Sequence, residues 1–441
     1  MTKNLKPWEI AVKKLGIPSL TEMQLKSLEI HSNQSDVILL SPTGTGKTLA
    51  FLLPLFESLQ HDVKLVQVLI ITPSRELAQQ IEQVFRSLSS DFKVNSCYGG
   101  HSMTTEKNNF TSPPAVLIGT PGRLADHIRS GNFKTQSIHT LILDEFDKSL
   151  EFGFQQEMSF IIGRLDAVKK RVLSSATDLP EIPGFTGIKS PFVLDYLLKE
   201  EAVKNLTVNI VKSNNKDKLD SLFHLLCDLG AATTLIFCNH REAVERISNH
   251  LSQSGIVNDF FHGGLEQSER ERMLIRFRNG SSNILITTDL ASRGLDIPDI
   301  SYIIHYQLPV TEAGFIHRNG RTARMHATGS SFLILSEDEA IPGYIQTGYK
   351  NHTIRAGHGL PEKPHWQTLY IGGGKKDKIN KMDIAGFLFK QGGLGKDDLG
   401  IIDVKDHHAY AAIKSELIHS VLSKVSTAKI KNRKVKIQIS Y

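Results

Sequence analysis

Short apolar runs alternate with amphipathic stretches along the first 200 residues of the chain. The runs VILLS at 37–41, VQVLIITP at 66–73 and LILDE at 141–145 have the length of strands and are apolar over most of it. Strands of this kind are typical of a parallel sheet with helices on both faces. The pattern therefore predicts an α/β domain over residues 1–200.

The alternation begins again beyond a polar stretch around 198–218. Its clearest strands are TLIFC at 234–238, NILITTD at 283–289 and SSFLILS at 330–336, with helical stretches between them. A second α/β domain of similar size is therefore expected over 201–351.

The rest of the chain has a different order of elements. Residues 352–364 are rich in Gly, Pro and His, and they are predicted to be a linker. Residues 365–441 then follow the order β-α-β-β-α-β, which suits an RNA-recognition-motif fold. The predicted fold class is α/β, with two parallel-sheet domains in tandem and a small C-terminal α+β domain.

Positive charge is concentrated in this last domain. Residues 365–441 contain 14 Lys and Arg against 7 Asp and Glu, whereas the whole chain has 52 against 46. The remaining residues are therefore nearly neutral, with 38 basic and 39 acidic side chains. A basic end on a neutral body favours a polyanionic partner, although a solvated basic face would look the same.

Composition and cysteine content limit the class of protein. The 441 residues are 40% hydrophobic and 22% charged, which is ordinary for a globular protein and excludes a disordered chain. We find no apolar run near the roughly 20 residues that a membrane span needs, and no signal-peptide pattern at the start. Three cysteines without a CxxC motif argue against a disulfide framework or zinc site, so we expect a cytoplasmic protein without a membrane partner.

A phosphate-binding loop is predicted at residues 41–48, SPTGTGKT, because this segment follows a strand and opens a helix. The backbone N–H groups expected to surround the phosphates are those of Thr43, Gly44, Thr45 and Gly46. Lys47 would reach the β- and γ-phosphates, and Thr48 would bind Mg²⁺. Ser41 stands where the general motif has its first Gly.

An acidic tetrad, Asp144-Glu145-Phe146-Asp147, follows the buried strand at 141–143. In this architecture, a carboxylate at the end of such a strand lies beside the phosphate loop. Asp144 would hold Mg²⁺, and Glu145 would orient and deprotonate the attacking water. An acidic cluster at a strand end is otherwise often a helix cap or a solvated turn.

Residues 16–336 resemble the DEAD-box RNA helicases of superfamily 2. The matching segments, in chain order, are Leu20–Gln24, Ser41–Thr48, Pro73–Ala78, Gly99–Gly100, Thr120–Arg123, Asp144–Asp147, Ser175–Thr177, Phe237–Asn239, Thr288–Asp296 and His317–Arg324. The resemblance implies two RecA-like domains that use ATP, Mg²⁺ and RNA. It also implies that Gln24 reads adenine, that Asp296 binds the ribose, and that Arg321 and Arg324 are arginine fingers. The tetrad departs from the family at Phe146, where Ala is usual.

The same resemblance implies RNA contacts through backbone-rich motifs. The residues so implicated are Arg75, Gly100, Thr120 and Arg123 in the first half, and Gly263 and Thr288 in the second. Contacts of this type hold the sugar-phosphate chain and carry no sequence information.

The C-terminal segment is similar to the RNA-binding domain of the bacterial DbpA subfamily. That similarity implies binding to a hairpin of large-subunit (23S-type) ribosomal RNA and work on pre-ribosomal particles, and the family implies a monomer. The candidate RNA contacts in this domain are Lys375, Lys376, Lys378, Lys431, Arg433 and, for base stacking, Tyr410.

The leading hypothesis is thus an ATP-dependent RNA helicase that separates short duplexes and is targeted to ribosomal RNA. An ATP-gated RNA clamp or scaffold with little turnover stays open as an alternative because Phe146 and Ala323 depart from the family, which usually has Ala and Gly at these positions. A DNA helicase is disfavoured by the set of motifs and by the C-terminal domain.

Overall fold

The computed structural model describes residues 6–42, 44–88, 91–100, 103–179, 181–197, 206–292, 300–322, 329–345, 348–355 and 357–440. The described residues up to 197 belong to one compact unit, and those from 206 onward belong to a second. In these ranges, no helix combines the length and apolarity that crossing a bilayer requires.

The first unit is a parallel sheet of seven strands with the order β3-β4-β2-β5-β6-β1-β7. Its strands are β1 Asp36–Leu40, β2 Val68–Ile71, β3 Val94–Cys97, β4 Val116–Gly119, β5 Thr140–Leu143, β6 Lys170–Ser175 and β7 Phe192–Asp195. Its helices are α1 Pro7–Lys14, α2 Glu22–Ile30, α3 Lys47–Leu52, α4 Arg75–Leu88, α5 Met103–Asn109, α6 Pro121–Arg129, α7 Phe146–Glu151 and α8 Gln155–Ile162.

Burial on both faces explains the continuous apolar strands of this unit. In β2, Val68 and Ile70 face the core that contains Phe85 of α4, whereas Leu69 and Ile71 face the opposite core. Successive strand residues point to opposite faces, so a strand covered on both sides must be apolar at every position.

The second unit contains a parallel sheet of the same size, with the order β10-β11-β9-β12-β13-β8-β14. Its strands are β8 Leu206–Lys212, β9 Thr234–Phe237, β10 Asp259–Phe261, β11 Ile284–Thr287, β12 Tyr302–His305, β13 Gly329–Leu335 and β14 Tyr349–Asn351. Its helices are α9 Leu219–Leu229, α10 Arg241–Gln253, α11 Gln267–Arg278 and α12 Glu312–Asn319.

A small antiparallel sheet with the order β16-β17-β15-β20 completes the second unit. Its elements are β15 Trp366–Ile371, α13 Lys381–Lys390, β16 Leu399–Val404, β17 Ala409–Lys414, α14 Ile418–Val425 and β20 Ile437–Ile439, with a hairpin of β18 Lys429–Ile430 and β19 Arg433–Lys434 before the last strand. The predicted fold class, two parallel-sheet domains and a small C-terminal α+β domain, is therefore confirmed.

The segment that leads into the C-terminal domain is fixed to α9 by one carboxylate. Asp228 accepts hydrogen bonds from His352 Nε2 and Arg355 Nε, each at 3.0 Å. Burial alone would raise the pKa of Asp228, but these hydrogen bonds and the charge of Arg355 outweigh burial and hold the pKa below its usual value. The first residues of the predicted linker are thus attached to the second α/β domain.

The two faces of the small sheet have different partners. Leu369, Ile371 and Ala411 point toward the core formed with α13 and α14. The opposite face, which we call the docked face, carries Thr368 and Asp403, and it lies against the end of α11.

Polar contacts and one ring hold the docked face in place. Arg278 Nη2 donates to Asp403 Oδ2 at 2.7 Å, and Asn279 Nδ2 donates to Thr368 Oγ1 at 3.2 Å. Ser281 Oγ lies 2.7 Å from the same Thr368 hydroxyl, and the indole of Trp366 approaches Gly280. The C-terminal domain is therefore joined to the second α/β domain through its sheet.

Removing the Thr368 hydroxyl should destabilise this contact. Thr368 is fully buried, so Thr368→Val leaves the buried polar atoms of Asn279 and Ser281 without their partner. We expect the free energy of unfolding to fall by about 1–3 kcal/mol in urea denaturation. The matched control is Thr427→Val at an exposed position, which should change it by less than about 0.5 kcal/mol. Equal effects of the two variants would contradict the role of Thr368.

Candidate functional site

The predicted phosphate loop lies between β1 and α3, and two of its glycines have backbone conformations that other residues rarely adopt. Gly44 has φ 83° and Gly46 has φ 91°. A Cβ at Gly46 would lie 2.5 Å from Gln24 Nε2, so a larger residue would displace that side chain. Thr43, also predicted in this loop, lies outside the described residues.

Gln24 is held against this loop by the start of α2. The Thr21 N–H donates to Gln24 Oε1 at 2.9 Å, while the Gln24 N–H donates to Thr21 Oγ1 at 3.3 Å, which is a capping box. Gln24 Nε2 then donates to the Gly46 carbonyl at 3.2 Å. Helix capping therefore fixes the amide of Gln24 beside the glycines of the loop.

Lys47 lies inside the loop and is only 8% exposed. Its ammonium donates to the carbonyls of Ser41 and Pro42, the latter at 3.1 Å. Thr45 Oγ1 donates to the same Pro42 carbonyl at 2.9 Å. The loop thus surrounds one cation with its own oxygens, and this charge influences the neighbouring acid Asp144.

The acidic tetrad begins at the end of β5, and its first two carboxylates are buried. Burial raises the pKa of Asp144, while the hydrogen bond from Ser174 Oγ and the charge of Lys47 oppose that rise. Glu145 has φ 46°, a left-handed conformation, and its N–H donates to the same Ser174 hydroxyl at 3.3 Å. A bound cation would favour the ionised form of Asp144, so the residues fit a Mg²⁺ site of the kind predicted with Thr48.

Further hydrogen bonds join the tetrad to the segment at 174–177. Thr177 Oγ1 donates to Asp147 Oδ2 at 3.1 Å, and the Thr177 N–H donates to Ser175 Oγ at 3.1 Å. Phe146 points the other way, into the apolar core, where it is fully buried with its ring 6.3 Å from that of Phe185. The unusual Phe therefore leaves the polar contacts of its acidic neighbours in place.

The RNA-contact candidates of the first unit lie at the carboxyl ends of three neighbouring strands. β3, β4 and β2 are adjacent in the sheet, and Gly100, Thr120 and Arg75 follow them in turn. Arg123 lies in the first turn of α6, directly after Thr120. The structure brings these four residues to one edge of the sheet.

Tyr98 connects these motifs, and the motif pattern did not single it out. Its hydroxyl accepts from Gln79 Nε2 at 2.5 Å, and its carbonyl accepts from Arg123 Nε at 3.3 Å. The next residue, Gly99, lies so close to Arg75 that a Cβ there would be 3.1 Å from Nη2. The turn at 98–100 is thus bordered by both arginines.

In the second unit, the buried Arg318 is the centre of a hydrogen-bond network that sequence reasoning did not assign. Its side chain is fully buried and donates to Asp289 Oδ1 at 2.6 Å, to the Gln307 carbonyl at 2.7 Å and to Asn239 Oδ1 at 2.7 Å. Asp289 and Asn239 belong to two separate motif segments, 288–296 and 237–239. The only sequence signal for this role was the position of Arg318 within the run at 317–324.

The structure describes three of the five site candidates in the second α/β domain, namely Gly263, Thr288 and Arg321. Gly263 and Thr288 follow the paired strands β10 and β11, and the Thr288 N–H donates to the Phe261 carbonyl at 3.4 Å. Arg321 is buried at 4% exposure. Asp296 and Arg324 lie outside the described residues.

The basic candidates of the C-terminal domain come together at one end of it. Lys375 and Lys376 form a short turn with Asp377, and Lys431 Nζ donates to the Lys378 carbonyl at 2.8 Å. Arg433 Nη1 bonds Asp377 Oδ1 at 2.8 Å, which joins the hairpin to the same turn. We call the surface formed by Lys375, Lys376, Lys378, Lys431 and Arg433 the basic end.

The structure contradicts Tyr410 as a base-stacking residue. Tyr410 is on the docked face and only 4% exposed, with the rings of Tyr370 and His408 at 5.6 and 5.3 Å. Burial, followed by the influence of Tyr370, raises its pKa to about 12. The pattern of a single strand could not show this, because the partner surface comes from α11, far away in the sequence.

Comparisons with known proteins agree with this arrangement. Family models match as "DEAD/DEAH box helicase" over residues 21–181, "Helicase conserved C-terminal domain" over 217–326 and "DbpA RNA binding domain" over 368–439. The ATP-dependent RNA helicase CshA of Listeria monocytogenes is 32% identical over 366 residues, which cover 82% of this chain and 70% of that protein. The chain belongs to the DEAD-box family of ATP-dependent RNA helicases.

Within that family, the chain resembles the DbpA proteins over its whole length. The ATP-dependent RNA helicase DbpA of Escherichia coli is 29% identical and that of Bacillus subtilis 28%, each alignment covering 97% of this chain and 96% of the relative. Among solved structures, S. cerevisiae Dbp5 bound to RNA and ADP BeF3 aligns with a TM-score of 0.68 and 25% identity, over 76% of this chain and 88% of that one. The chain is therefore an RNA-dependent ATPase and helicase with a DbpA-type RNA-binding domain.

Replacing Phe146 by Ala should lower the stability of the fold without lowering the ATPase rate. Phe146→Ala removes a fully buried ring, so we expect the free energy of unfolding to fall by about 3–5 kcal/mol in urea denaturation. The RNA-stimulated ATPase rate of the folded variant should stay near that of the unaltered chain, because Ser174 and Thr177 still hold the acids.

The control for this prediction is Phe152→Ala, because Phe152 is 43% exposed and its loss should cost less than about 1 kcal/mol. Loss of ATPase activity in a Phe146→Ala protein that is still folded would show that the ring takes part in hydrolysis or its coupling.

Proposed function

We propose that the chain hydrolyses ATP at the loop 41–48 to separate short RNA duplexes, and that its target is large-subunit ribosomal RNA. The observation that supports the hydrolytic site best is the hydrogen-bonded connection of Asp144 and Asp147 to Ser174 and Thr177 beside Lys47. Such a connection lets the presence of a phosphate at Lys47 influence the conformation of the segment at 174–177.

Each residue of the first unit would have a separate task. The Gln24 amide would accept a hydrogen bond from adenine and donate one to it. Lys47 and the backbone N–H groups of the loop would bind the β- and γ-phosphates. Asp144 and Thr48 would hold Mg²⁺, which neutralises charge on the phosphates when it is bound. Glu145 would orient the attacking water and take up its proton.

The second unit would add positive charge and a ribose contact. Arg321 and Arg324 are proposed as arginine fingers, whose charge stabilises the transition state by roughly 10³–10⁵-fold in other nucleotide hydrolases. Asp296 is proposed to bind the ribose hydroxyls. The buried network of Arg318 would hold the segment that carries Arg321 in a defined position.

Replacing Glu145 by Gln should stop hydrolysis without preventing binding. We expect Glu145→Gln to lower the RNA-stimulated ATPase rate at least about 100-fold, because the amide cannot take up a proton from water. Binding of a fluorescent ATP analogue should change little. The control is Glu181→Gln at an exposed position, which should behave like the unaltered chain. Undiminished hydrolysis by Glu145→Gln would remove the residue from this role.

On the RNA side, the residues at the carboxyl edges would hold a single strand by its backbone. Arg75, Gly100, Thr120 and Arg123 are grouped at one edge of the first sheet, and Gly263 and Thr288 follow paired strands of the second. Contacts of this type fit any sequence, so they would supply strand separation and not target choice.

Target choice would lie in the basic end of the C-terminal domain. The domain matches a family model for RNA binding, and Lys431 and Arg433 of the hairpin are joined to the turn at 375–378 through the Lys378 carbonyl and Asp377. We propose that this surface recognises large-subunit ribosomal RNA within pre-ribosomal particles, and that the chain acts there as a monomer. Such a substrate would make the cytoplasm its place of action.

Removing charge from the basic end should weaken binding to ribosomal RNA. For Lys375→Ala/Lys376→Ala/Lys378→Ala, we expect a higher KM for 23S-type ribosomal RNA in the ATPase assay, with an unchanged KM for poly-A RNA. The slope of log affinity against log salt concentration should decrease in magnitude by about 2, because each of the three lost phosphate contacts contributes about 0.7 to that slope.

The matched control for this triple variant is Lys390→Ala/Lys396→Ala, which removes exposed charge near the other end of α13. If ribosomal RNA and poly-A RNA stimulate the ATPase activity of the unaltered chain equally, targeting to ribosomal RNA is contradicted, whereas the helicase function is not. No stimulation by either RNA would favour the ATP-gated clamp with little turnover.

A further inference from the structure

A buried carboxylate and a buried imidazole lie next to Arg123 and the 98–100 turn, at the edge of the first sheet where the RNA-contact candidates are grouped. Glu106 of α5 is 6% exposed and His127 of α6 is fully buried. Glu106 Oε2 is 2.8 Å from His127 Nε2 and 3.2 Å from Arg123 Nε, while Glu106 Oε1 accepts from the Tyr98 N–H at 3.2 Å. One carboxylate therefore contacts the backbone of the 98–100 turn and the side chain of Arg123 together.

The cost of burying this carboxylate is offset by its three donors. A buried charge without partners would be strongly destabilising, so the position of Glu106 depends on Arg123, His127 and Tyr98, and theirs depends on Glu106. Arg123 Nε also donates to the Tyr98 carbonyl at 3.3 Å. The Nε side of the guanidinium thus faces the protein interior and has one defined orientation.

His127 is in turn fixed from its other side. Its Nδ1 lies 2.9 Å from the amide nitrogen of Asn132, which can only donate. His127 is therefore protonated at Nε2 and donates that proton to Glu106. The ring of Phe110 packs edge-on against the imidazole, with the centroids 5.1 Å apart.

A metal ion is the competing interpretation, because Cys97 Sγ and ligand atoms of Glu106 and His127 lie within 4.8 Å of one another. Two features oppose it. The guanidinium of Arg123 already contacts the carboxylate oxygen that would bind the cation, and burial raises the pKa of the Cys97 thiol, which favours its protonated form. The cluster has the chemistry of a hydrogen-bond network that ends in an arginine.

We propose that Glu106 and His127 are positioning residues for RNA, which hold Arg123 and the 98–100 turn in the conformation that binds the sugar-phosphate backbone. The inference rests on the proposed role of Arg123 and Gly100 as RNA contacts. Glu106 and His127 do not contact RNA; they act through Arg123 and through the Tyr98 N–H. Neither belongs to the nucleotide loop or the acidic tetrad, so ATP binding does not depend on them.

The test is a double-mutant cycle between Glu106 and Arg123 in the full chain. We expect Glu106→Gln and Arg123→Ala each to raise the KM for poly-A RNA in the ATPase assay by about tenfold, with little change in kcat at saturating RNA or in affinity for a fluorescent ATP analogue. The Gln oxygen can still accept from the Tyr98 N–H, so of the two proposed RNA-contact groups only Arg123 loses its contact with residue 106. In the Arg123→Ala background, Glu106→Gln should therefore have almost no further effect on that KM.

Two more variants control for misfolding and for a general effect of lost charge on the KM for RNA. His127→Gln should raise the KM for RNA less than Glu106→Gln, because a Gln amide can still donate to Glu106. Asp126→Asn, at an exposed acid of the same helix paired with Arg129, should leave the KM for RNA unchanged. Thermal unfolding of each variant shows whether it is folded at the assay temperature.

The outcomes separate this inference from the proposed function. Additive effects of Glu106→Gln and Arg123→Ala, or no effect of Glu106→Gln beside a strong effect of Arg123→Ala, would overturn the positioning role and leave the RNA site standing. No effect of Arg123→Ala on the KM for RNA would overturn both. A non-additive pair with normal ATP affinity supports the proposal.

Discussion

Parallel strands end in the same direction, and this constraint places the predicted phosphate loop, the acidic tetrad and the RNA-contact candidates of the first unit. In the first unit, β3, β4 and β2 are adjacent in space although their segments are separated in the chain, so the residues that follow them meet at one edge. The helices on both faces make this possible, because they bury the strands and leave only their ends for polar chemistry. The same arrangement in the second unit brings Gly263 and Thr288 to paired strands.

Buried charges give these edges their rigidity. Arg318 joins Asp289 and Asn239, and Glu106 joins Arg123 and the Tyr98 backbone. The side chains of Arg318 and Glu106 are themselves buried. A buried charge that loses its partner is costly, so such a network has few alternative arrangements. Positions proposed to bind a phosphate or an RNA backbone are thereby held by interactions that lie one layer deeper in the fold.

Sequence reasoning reached the fold class because continuous apolar strands and their intervening helices are local patterns. It also placed the predicted phosphate loop between a strand and a helix and the acidic tetrad at the end of a strand, because the residues of each are contiguous. It failed for Tyr410, since the burial of that ring depends on α11, more than a hundred residues away. It did not single out Tyr98, Glu106 or His127, because each is an ordinary residue type in an ordinary position and acquires its role only through contacts between elements.

The docked face of the C-terminal sheet has a consequence for how such proteins diversify. Asp403 and Thr368 bind the second α/β domain, while the basic end is built from the turn at 375–378 and the hairpin at 429–434. Attachment and the proposed RNA recognition thus occupy different surfaces of one small module. If the basic end selects the RNA as proposed, substitutions there would change the RNA that is bound without weakening the attachment of the domain. A foreign RNA-binding domain grafted after residue 364 would first need a sheet that complements Arg278 and Asn279.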